Sequence, residues 1–548
     1  MDGKGNRFQK VRLACRGWIL RWDDGGFRKR KMKKILFLMC LTSLPFLLWA
    51  KGGMKRQKTS KAGIQMAYTV EEMREWNRYP TYQTYLDLMY GLARTYPTLC
   101  RLDTIGLSTK GRLILCLKIS DNVHEEEAEP GFFYSSSIHG DELTGFVLML
   151  RLADYLLTRY GTDPEVTALV DGMQIYINPL SNPDGAYAAS DNDVSGATRE
   201  NAGRVDLNRN YPDAWRGAPA TIQKENKAMM AYAMKNDWVM SANIHGGSDV
   251  LNFPWDGFRS SSKKHADFDW WEQVCKRYVD SCRRVDARAY RDVNEKGYVH
   301  GGDWYVVNHG RQDYMNAFGH VREQTIEISF TKMPPSSELS RYWEINGRSL
   351  LNYMKEAGYG IQGRVRDSLS GDWVRALVTV LGHDRDSSQV YSSSLHGAFF
   401  RPIAAGSYDL LFSAPGYKDK VVTGVKVDDF SVTCRHVSLM PDSLPAVADT
   451  TTVPFPPDTL AGEGAIAWRP CSVYPNPVQD VLNVEAGEAF SISGIYDVAG
   501  REVRGIVAPE VFSTCAEVQV SGLPSGLYFL EVRDVPGQRV RRVKFIKR

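Results

Sequence analysis

Four acid and base side chains come from three distant segments of the sequence, each at the edge of an apolar run. His139 and Glu142 belong to the segment SIHGDE, His245 follows in SANIHGG, and Glu327 lies in TIEISF. A catalytic zinc ion takes three protein ligands, keeps a fourth position for water and works beside a carboxylate that handles the proton. The chain can supply all of these groups, so the residues predict a zinc ion that activates water.

Each of these signals also has an ordinary structural explanation when it is taken alone. A histidine and a carboxylate three residues apart are common by chance, and most lone histidines only make hydrogen bonds. Glu327 is the strongest signal, because a carboxylate inside an apolar strand is costly to bury unless it is paired or functional. The interpretation therefore depends on further polar residues.

Polar residues in three other segments complete the candidate site. Asn208 and Arg209 lie in VDLNRNYP, Arg199 lies in ATRENAG, and Tyr305 lies in WYVVNHGRQDY. An arginine beside an amide suits a substrate carboxylate, because it can form bidentate, charge-assisted hydrogen bonds. The second arginine could instead face the oxyanion that forms on a scissile carbonyl.

An alternation of strands and helices must bring these residues together. A hairpin is predicted over residues 100–120, and further strands at 132–137, 173–178, 238–244 and 324–330. Helices are predicted at 69–90, 142–160, 224–236, 268–282 and 338–357. This order predicts an α/β fold whose mixed, mostly parallel twisted sheet is flanked by helices. Ligands of such sheets bind beyond the carboxyl ends of the strands, where His139 and His245 fall.

The rest of the chain divides into smaller parts. Short alternating runs separated by turns predict two small all-β sandwich domains, at residues 359–440 and 470–548. Residues 441–469 are rich in Pro, Asp, Thr and Ala and are predicted to form a linker. The α/β domain, which holds all the candidate chemistry, is then expected to span residues 69–358.

The N-terminal region predicts export. Basic residues 31–34 precede an apolar run over residues 35–50 that ends in Ala50, which is typical of a signal peptide at 32–50. Residues 1–31 are either misassigned or an unusual extension, and 51–68 form a short pro-segment or linker. The apolar run is short for a membrane span, and no later segment is longer, so no stable transmembrane segment is expected in the mature protein.

The basic character of the chain belongs to this leader. Residues 1–50 hold 12 Lys and Arg but only 3 Asp and Glu, whereas the whole chain has a net charge of +4. The remainder is therefore acidic by about five charges. With no nucleic-acid-binding motif present, we expect no nucleic-acid partner.

Seven segments in order resemble the funnelin-type zinc carboxypeptidases, and more closely the regulatory branch, of the carboxypeptidase D, E, M and N type, that trims C-terminal lysine and arginine. The segments are IHGDELTG, NPLSNPDG, VDLNRNYP, SANIHGG, NFPWDGF, GGDWYVVNHGRQDY and TIEIS. The resemblance covers residues 69–358 and implies the zinc carboxypeptidase fold, with one zinc ion in the catalytic domain. It also implies hydrolysis of the last peptide bond of a peptide or protein.

The resemblance assigns a role to each candidate residue. The implied zinc ligands are His139, Glu142 and His245. Glu327 would act as general base and later as general acid, and Arg199 would stabilise the oxyanion. The residues that would grip the terminal carboxylate of the substrate are Asn208, Arg209 and Tyr305. Fixing that carboxylate would allow only the last peptide bond to reach the zinc.

Two residues extend the resemblance to the substrate side chain. The basic-specific branch has a carboxylate in a YPFD-like stretch and a glutamine in a GGMQD-like stretch. Here NFPWD places Asp256, and NHGRQD places Gln312, which predicts substrates that end in Lys or Arg. His309 and Arg311 depart from the usual Gly and Met. The charge of Arg311 either points away from the pocket or alters its preference.

The β domains carry resemblances of their own. IQGRVRDSLSGDWVRALVTV and GSYDLLFSAPGYKDK resemble the transthyretin-like module that follows such peptidase domains, with an expected role in packing and support. VYPNPVQDVLNV, IYDVAGREV, LPSGLYFLEV and the end KFIKR resemble the C-terminal sorting domain of type IX secretion cargo. This implies the type IX secretion machinery as a partner, passage across an outer membrane, and a secreted or surface-attached protein.

Two other functions stay open from the sequence. One is a cell-wall peptidase of the same fold that acts on the diamino-acid stems of muropeptides; a pocket for a free basic residue argues against it. The other is an inactive, peptidase-fold binding protein of the cell surface. The presence of all three candidate metal ligands and of Glu327 argues against that alternative. The last β domain could also be an ordinary adhesion module.

Overall fold

The computed structural model describes residues 63–442, four further stretches, which are 471–474, 478–497, 513–534 and 540–547, and the single residues 501 and 503. The predicted signal peptide, the N-terminal extension, most of the pro-segment and nearly all of the predicted linker lie outside the described residues. The chemistry-bearing segments singled out above all lie inside residues 63–442.

Ten α-helices lie within residues 63–442, and the longest pack on the central sheet. They are α1 (Val70–Met73), α2 (Tyr82–Thr95), α3 (Thr144–Arg159), α4 (Pro164–Asp171), α5 (Pro183–Ala186), α6 (Lys224–Lys235), α7 (Phe268–Val285), α8 (Gly301–Trp304), α9 (Arg311–Ala317) and α10 (Leu339–Lys355). Short 3₁₀ turns add Leu207–Arg209, Ser336–Glu338 and Glu356–Gly358.

The first ten strands belong to the α/β part of the chain. They are β1 (Met66–Ala67), β2 (Tyr79–Pro80), β3 (Cys100–Leu107), β4 (Leu113–Ile119), β5 (Gly131–Ser136), β6 (Gln174–Asn178), β7 (Trp238–His245), β8 (Ser248–Phe253), β9 (Tyr298–His300) and β10 (Arg322–Ser329). Eight of them form one sheet in the order β3-β4-β6-β5-β7-β10-β8-β9. Four of its seven neighbouring pairs are parallel, which confirms the predicted mixed sheet.

Successive side chains of the central strands pack alternately into two cores, one on each face of the sheet. Phe132 and Tyr134 of β5 lie in the larger core with α2, α3, α7 and α10, whereas Phe133 lies in the smaller core with α6 and α9. A strand buried on both faces is expected where helices cover both sides of a parallel sheet. The two layers of helices hold the carboxyl ends of β5, β7 and β10 at one edge of the sheet.

Two sequence predictions are wrong in this part of the chain, and the structure also has elements that were not predicted, among them α4 and β8. The segment predicted as one helix at 69–90 is broken, because Tyr79–Pro80 forms β2 and pairs in parallel with β1. Pro80 has no backbone N–H and cannot continue a helix past its first turn. In addition, His245 is the last residue of β7 and does not lie beyond the strand.

A β-sandwich follows the last helix, as predicted. Its strands are β11 (Gly360–Asp367), β12 (Leu377–Val380), β13 (Val390–Tyr391), β14 (Ala398–Arg401), β15 (Gly406–Ser413), β16 (Lys420–Val427), β17 (Val432–Cys434) and β18 (Val437–Leu439). They form two four-stranded sheets around one apolar core, to which Ile361, Val378, Phe399 and Phe412 contribute.

The described C-terminal strands form a five-stranded all-β unit. They are β19 (Cys471–Tyr474), β20 (Val481–Asp497), β21 (Ser513–Gln519), β22 (Gly526–Asp534) and β23 (Val540–Lys547). β20 runs without a break from Val481 to Asp497. The first half of β20 pairs with β19 and β21 and its second half with β22, so one strand serves two sets of partners.

Within the part of the chain that the structure describes, no helix combines the length and the apolar character that crossing a bilayer requires.

Candidate active site

Strand pairing brings the most distant candidate residues to one edge of the sheet. His139 lies three residues beyond β5, and Glu142 lies two residues before α3. His245 ends β7, and its Cα partner in the parallel pair with β10 is Glu327. Residues from three adjacent strands therefore meet because β5, β7 and β10 are neighbours that run in the same direction.

Three buried donor atoms converge at this edge. Glu142 Oε2 lies 3.0 Å from His139 Nδ1 and 2.8 Å from His245 Nδ1, and the two Nδ1 atoms are 3.1 Å apart. Ligands held about 2.1 Å from a tetrahedral zinc ion lie roughly 3.4 Å from one another. Two imidazole nitrogens and one carboxylate oxygen are also a donor set that zinc accepts. These residues could therefore hold a zinc ion.

The outer nitrogen of each imidazole ring has a polar partner. His139 Nε2 lies 3.0 Å from Asp206 Oδ1, and His245 Nε2 lies 2.8 Å from the side-chain amide of Asn243. A carboxylate on the outer nitrogen fixes the tautomer and orientation of a metal-binding histidine. Asp206 was not among the predicted site residues, although it lies in VDLNRNYP. Its position two residues before Asn208 was the signal that could have identified it.

The second oxygen of Glu142 faces two cations. Arg199 Nη1 donates to Glu142 Oε1 at 3.2 Å, and Lys332 Nζ lies 3.0 Å from the same oxygen. Arg199 is also held by Asp206, whose Oδ2 accepts from Arg199 Nε at 3.0 Å. The guanidinium of Arg199 is thus anchored beside the candidate metal ligands. Lys332 was not predicted, because it follows Glu327 by five residues outside the matched segment TIEIS.

Glu327 lies in a low-dielectric position beside the three donor residues. Glu327 is only 7% exposed, and it lies on β10, next to the strand β7 that ends in His245. Burial raises the pKa of the Glu327 carboxyl well above its usual range, and the negative charge of Glu142 raises it further. A carboxylate with a raised pKa is a stronger base, which suits it to accept a proton and return it.

The predicted anion-binding residues lie around the same centre. Asn208 Oδ1 accepts from the backbone N–H of Arg311 at 2.8 Å, so the side chain offers its amide nitrogen to other partners. Arg209 Nη1 donates to the backbone oxygen of Asn208 at 2.8 Å, which anchors one end of the guanidinium. Burial raises the pKa of Tyr305, and the charges that act on its hydroxyl include those of Glu327 and Arg209.

Asp256 lies at a buried position held by two elements. The residue is 4% exposed, and its Oδ1 accepts from Gln312 Nε2 at 2.8 Å. Asp313 holds its backbone, because the N–H groups of Asp256 and Gly257 both donate to the Asp313 carboxylate at 2.8 Å. A Cβ atom on Gly301 would lie 1.8 Å from Asp256 Oδ1, so any larger residue there would force this carboxylate to shift.

The amide oxygen of Gln312 also belongs to this cluster. Gln312 Oε1 is buried and has no hydrogen-bond partner within the described residues. Burial raises the pKa of Asp256 well above its usual range, Asp313 adds to this, and Arg209 opposes it. A buried carboxylate and an unpaired amide oxygen, both acceptors, together suit a cationic donor group.

The two residues that depart from the family pattern are accommodated in different ways. Arg311 is fully buried, and its Nη2 donates to Glu323 Oε2 at 2.8 Å, so its side chain is engaged by Glu323. His309 has a φ of +57°, a left-handed conformation that favours glycine, and its Nδ1 lies 3.1 Å from the backbone oxygen of Tyr211. Each of the two side chains therefore has a partner inside the protein, Tyr211 for His309 and Glu323 for Arg311.

Two parts of the chain match known families. Residues 85–349 match the zinc carboxypeptidase family, and residues 472–547 match the secretion system C-terminal sorting domain. The eight-stranded sheet and the candidate metal ligands lie within the first match, and β19 to β23 lie almost entirely within the second.

Individual proteins extend the match beyond the first family segment. Carboxypeptidase D of Mus musculus is 35% identical over 337 residues, which cover 59% of this chain and 24% of that protein. Carboxypeptidase M of Mus musculus is 32% identical over 371 residues, which cover 64% of this chain and 83% of that protein. The chain thus spans about a quarter of the length of the carboxypeptidase D that it matches.

A solved structure is also similar. The crystal structure of thrombin activatable fibrinolysis inhibitor aligns with a TM-score of 0.46 at 19% sequence identity, over 55% of this chain and 80% of that chain. The extent of the carboxypeptidase M match, together with the family match over residues 85–349, identifies the protein: it belongs to the zinc carboxypeptidase family.

Proposed function

We propose that this protein is a secreted zinc metallocarboxypeptidase that releases C-terminal Lys or Arg from peptides and proteins. The observation that carries the proposal is the pairing of two sites: a His-Glu-His donor set, and a buried Asp256 beside the unpaired acceptor of Gln312. The first supports hydrolysis, and the second supports recognition of a cationic side chain.

The donor set fits zinc, and three residues would hold it: His139, Glu142 and His245. When bound there, zinc would polarise the scissile carbonyl and make a water molecule more acidic. Glu327 would take the proton of the attacking water and pass it to the leaving amine. Its burial favours this role, because a strong base in a site with little water transfers protons readily.

The two arginines would bind different negatively charged groups, the oxyanion and the terminal carboxylate. Arg199, anchored on Asp206, would donate to the oxyanion that develops on the scissile carbonyl. Arg209, with the amide of Asn208 and the hydroxyl of Tyr305, would bind the terminal carboxylate. That contact would place only the last peptide bond beside Glu327, which makes the enzyme an exopeptidase.

The side chain of the terminal residue would extend toward Asp256. A lysine ammonium or an arginine guanidinium could pair with this carboxylate and donate to Gln312 Oε1. An apolar side chain would leave both acceptors buried and unpaired, which costs affinity. The site should therefore discriminate by the loss of hydrogen bonds as well as by attraction between charges.

Export of the enzyme is supported by the C-terminal match to a secretion system sorting domain. We propose that the N-terminal signal peptide takes the chain across the inner membrane and that the type IX machinery takes it across the outer membrane. The expected location is the medium or the cell surface. A chain that ends before residue 471 should stay inside cells of a host with this machinery, with its peptidase activity intact in the lysate.

A panel of peptides that differ only in the last residue tests the enzymatic proposal. We expect kcat/KM to be at least tenfold higher for Lys or Arg than for Leu or Phe, and we expect a chelator to abolish turnover. Activity on muropeptides with none on basic C-termini would instead indicate a cell-wall peptidase. Failure to bind zinc would indicate an inactive binding protein.

Asp256→Ala isolates the side-chain pocket within this test. The variant should lose roughly a hundredfold in kcat/KM on Lys and Arg termini, because a charge-assisted pair is removed, and should change little on Leu. Asp280→Ala, on the exposed face of α7, is the matched control. An equal loss on all termini would contradict the pocket assignment.

A further inference from the structure

The segment that forms the proposed basic pocket contains an arginine that the pocket does not use. Arg311 directly precedes Gln312, whose amide contacts Asp256. A positive charge beside a pocket for positive side chains should repel them. At an effective dielectric constant of about 20, two unit charges roughly 10 Å apart change an equilibrium by on the order of tenfold.

The structure shows how this charge is contained. Arg311 and Glu323 are both fully buried, and Arg311 Nη2 donates to Glu323 Oε2 at 2.8 Å. Arg311 Nη1 donates to Ser135 Oγ, and the guanidinium carbon lies 5.2 Å from the centre of the Phe133 ring. Ser241 Oγ also donates to Glu323 Oε2, at 2.7 Å. Both charges are therefore held in fixed positions.

Glu323 lies on the strand that carries the proposed general base. It precedes Glu327 by four residues on β10, so both side chains are on the same face of the sheet. Helix α9 is tied to this strand, because Asn316 Nδ2 donates to the backbone oxygen of Glu323 at 2.8 Å. The charge of Glu323 reaches the pocket: after burial and Asp313, it is a further cause of the raised pKa of Asp256.

We infer that Glu323 is a specificity-determining residue, which neutralises Arg311 and so keeps the neighbouring pocket selective for cationic side chains. The inference rests on the proposed preference for Lys and Arg. Glu323 does not touch the substrate. It acts through the charge of Arg311, and a purely structural role for the pair would alter stability without altering the choice between basic and apolar termini.

Three variants test the sign of this effect. The measured quantity is the ratio of kcat/KM for a Lys-ending peptide to that for a Leu-ending peptide, which cancels general losses of activity. Glu323→Gln leaves the positive charge of Arg311 without its counterion and should lower the ratio about tenfold. Arg311→Met leaves the negative charge of Glu323 without its counterion and should keep the ratio at the wild-type value or raise it.

The double variant Arg311→Met/Glu323→Gln removes both charges and should return the ratio to within about twofold of the wild type. If Glu323→Gln does not fold, Arg311→Met and the double variant still carry the test. A ratio that falls tenfold in Arg311→Met, or in a folded double variant, would overturn the inference, as would an unchanged ratio in folded Glu323→Gln.

The wild-type ratio separates this inference from the proposed function. A wild-type ratio near one would refute the basic specificity itself. A high wild-type ratio that Asp256→Asn lowers but folded Glu323→Gln does not would leave the proposed function standing and refute only the role of Glu323.

Discussion

The two carboxylate oxygens of Glu142 contact different groups. Oε2 lies within 3.0 Å of both histidine Nδ1 atoms, whereas Oε1 faces Arg199 and Lys332. Two cations on the outer oxygen favour the ionised carboxylate, which is the form that binds a metal. The charges of Arg199 and Lys332 thus favour metal binding, although neither residue is a proposed ligand.

Asp206 should matter for zinc affinity although it is not a proposed ligand. Asp206→Asn removes the charge that faces His139 Nε2, so we expect the zinc dissociation constant to rise about 10- to 100-fold. Competition against a chromogenic chelator measures this constant. Asp280→Asn, on an exposed face, is the control and should leave it unchanged. Equal affinities of the Asp206 variant and the wild type would argue against this orienting role.

Glu327 should matter for turnover and not for metal content. Glu327→Gln keeps the shape of the side chain but cannot accept a proton, so kcat should fall roughly 10²- to 10⁴-fold. Metal analysis should still find one zinc ion per chain. Glu338→Gln changes an exposed carboxylate and should behave as the wild type. Near-normal turnover of the Glu327 variant would show that another group is the base.

At the scale of elements, the proposed pocket depends on a close approach between two segments. Strand β9 leads into the short helix α8, whose first residue, Gly301, lies against Asp256. Helix α9 contributes Gln312 and Asp313, which hold the side chain and the backbone of the Asp256 segment. The pocket is therefore formed by the starts of two short helices, α8 and α9, beside the Asp256 segment.

Gly301→Ala tests this close approach. The added methyl would meet Asp256 Oδ1 at 1.8 Å, so the carboxylate must shift, and a displacement near 1 Å can cost on the order of a hundredfold in rate. We expect kcat/KM to fall 10- to 100-fold on Lys termini and much less on Leu termini. Gly91→Ala, a helical site where a Cβ meets nothing within 4 Å, is the matched control and should be fully active.

At the scale of the whole molecule, a buried ion cluster joins the α/β part to the β-sandwich. Arg401 of β14 donates to both oxygens of Asp267, at 2.8 and 3.1 Å, and Arg322 at the start of β10 donates to the same carboxylate at 3.1 Å. Arg401 Nη2 also contacts Asp384 at 2.5 Å. The β-sandwich thus contributes Arg401 to the ion cluster that holds the start of β10, the strand that carries Glu327.

Arg401→Met should destabilise the protein strongly. It leaves Asp267 and Asp384 with fewer cations at positions closed to water, and breaking a buried pair in this way costs about 3–5 kcal/mol. Denaturant unfolding followed by tryptophan fluorescence measures the loss. Arg288→Met is the control, because that side chain is 84% exposed and should contribute less than about 1 kcal/mol. A loss that small for Arg401→Met would show that the cluster does not stabilise the junction.

The same cluster predicts how the loss depends on pH. Burial alone would raise the pKa of Asp267, but the charges of Arg401 and Arg322 hold it well below its usual value. A depressed pKa in the folded state contributes stability that is present above the unfolded pKa of about 3.9 and is lost as pH falls. The stability difference between wild type and Arg401→Met should therefore be largest above pH ~5 and should narrow below pH ~4. A difference that stays constant down to pH ~3 would contradict this.

Local patterns were enough to predict most elements and the identities of the candidate residues. The helices at Lys224–Lys235 and Phe268–Val285 follow apolar periodicity, and the strands that end near His139 and His245 are short apolar runs. These features depend on neighbours within a few residues, so they can be read directly from the chain. The break at Tyr79–Pro80 was missed, because its pairing with β1 outweighed the helical pattern.

Tertiary structure alone decided where the charged side chains point and which partners they take. The sequence could not say whether Arg311 faced the pocket, because its partners Ser135 and Glu323 come from other strands. Asp206 meets His139 across 67 residues, and Arg401 meets Asp267 across 134. Burial makes an unpaired charge costly, so the fold selects such partners by proximity, which sequence spacing does not encode.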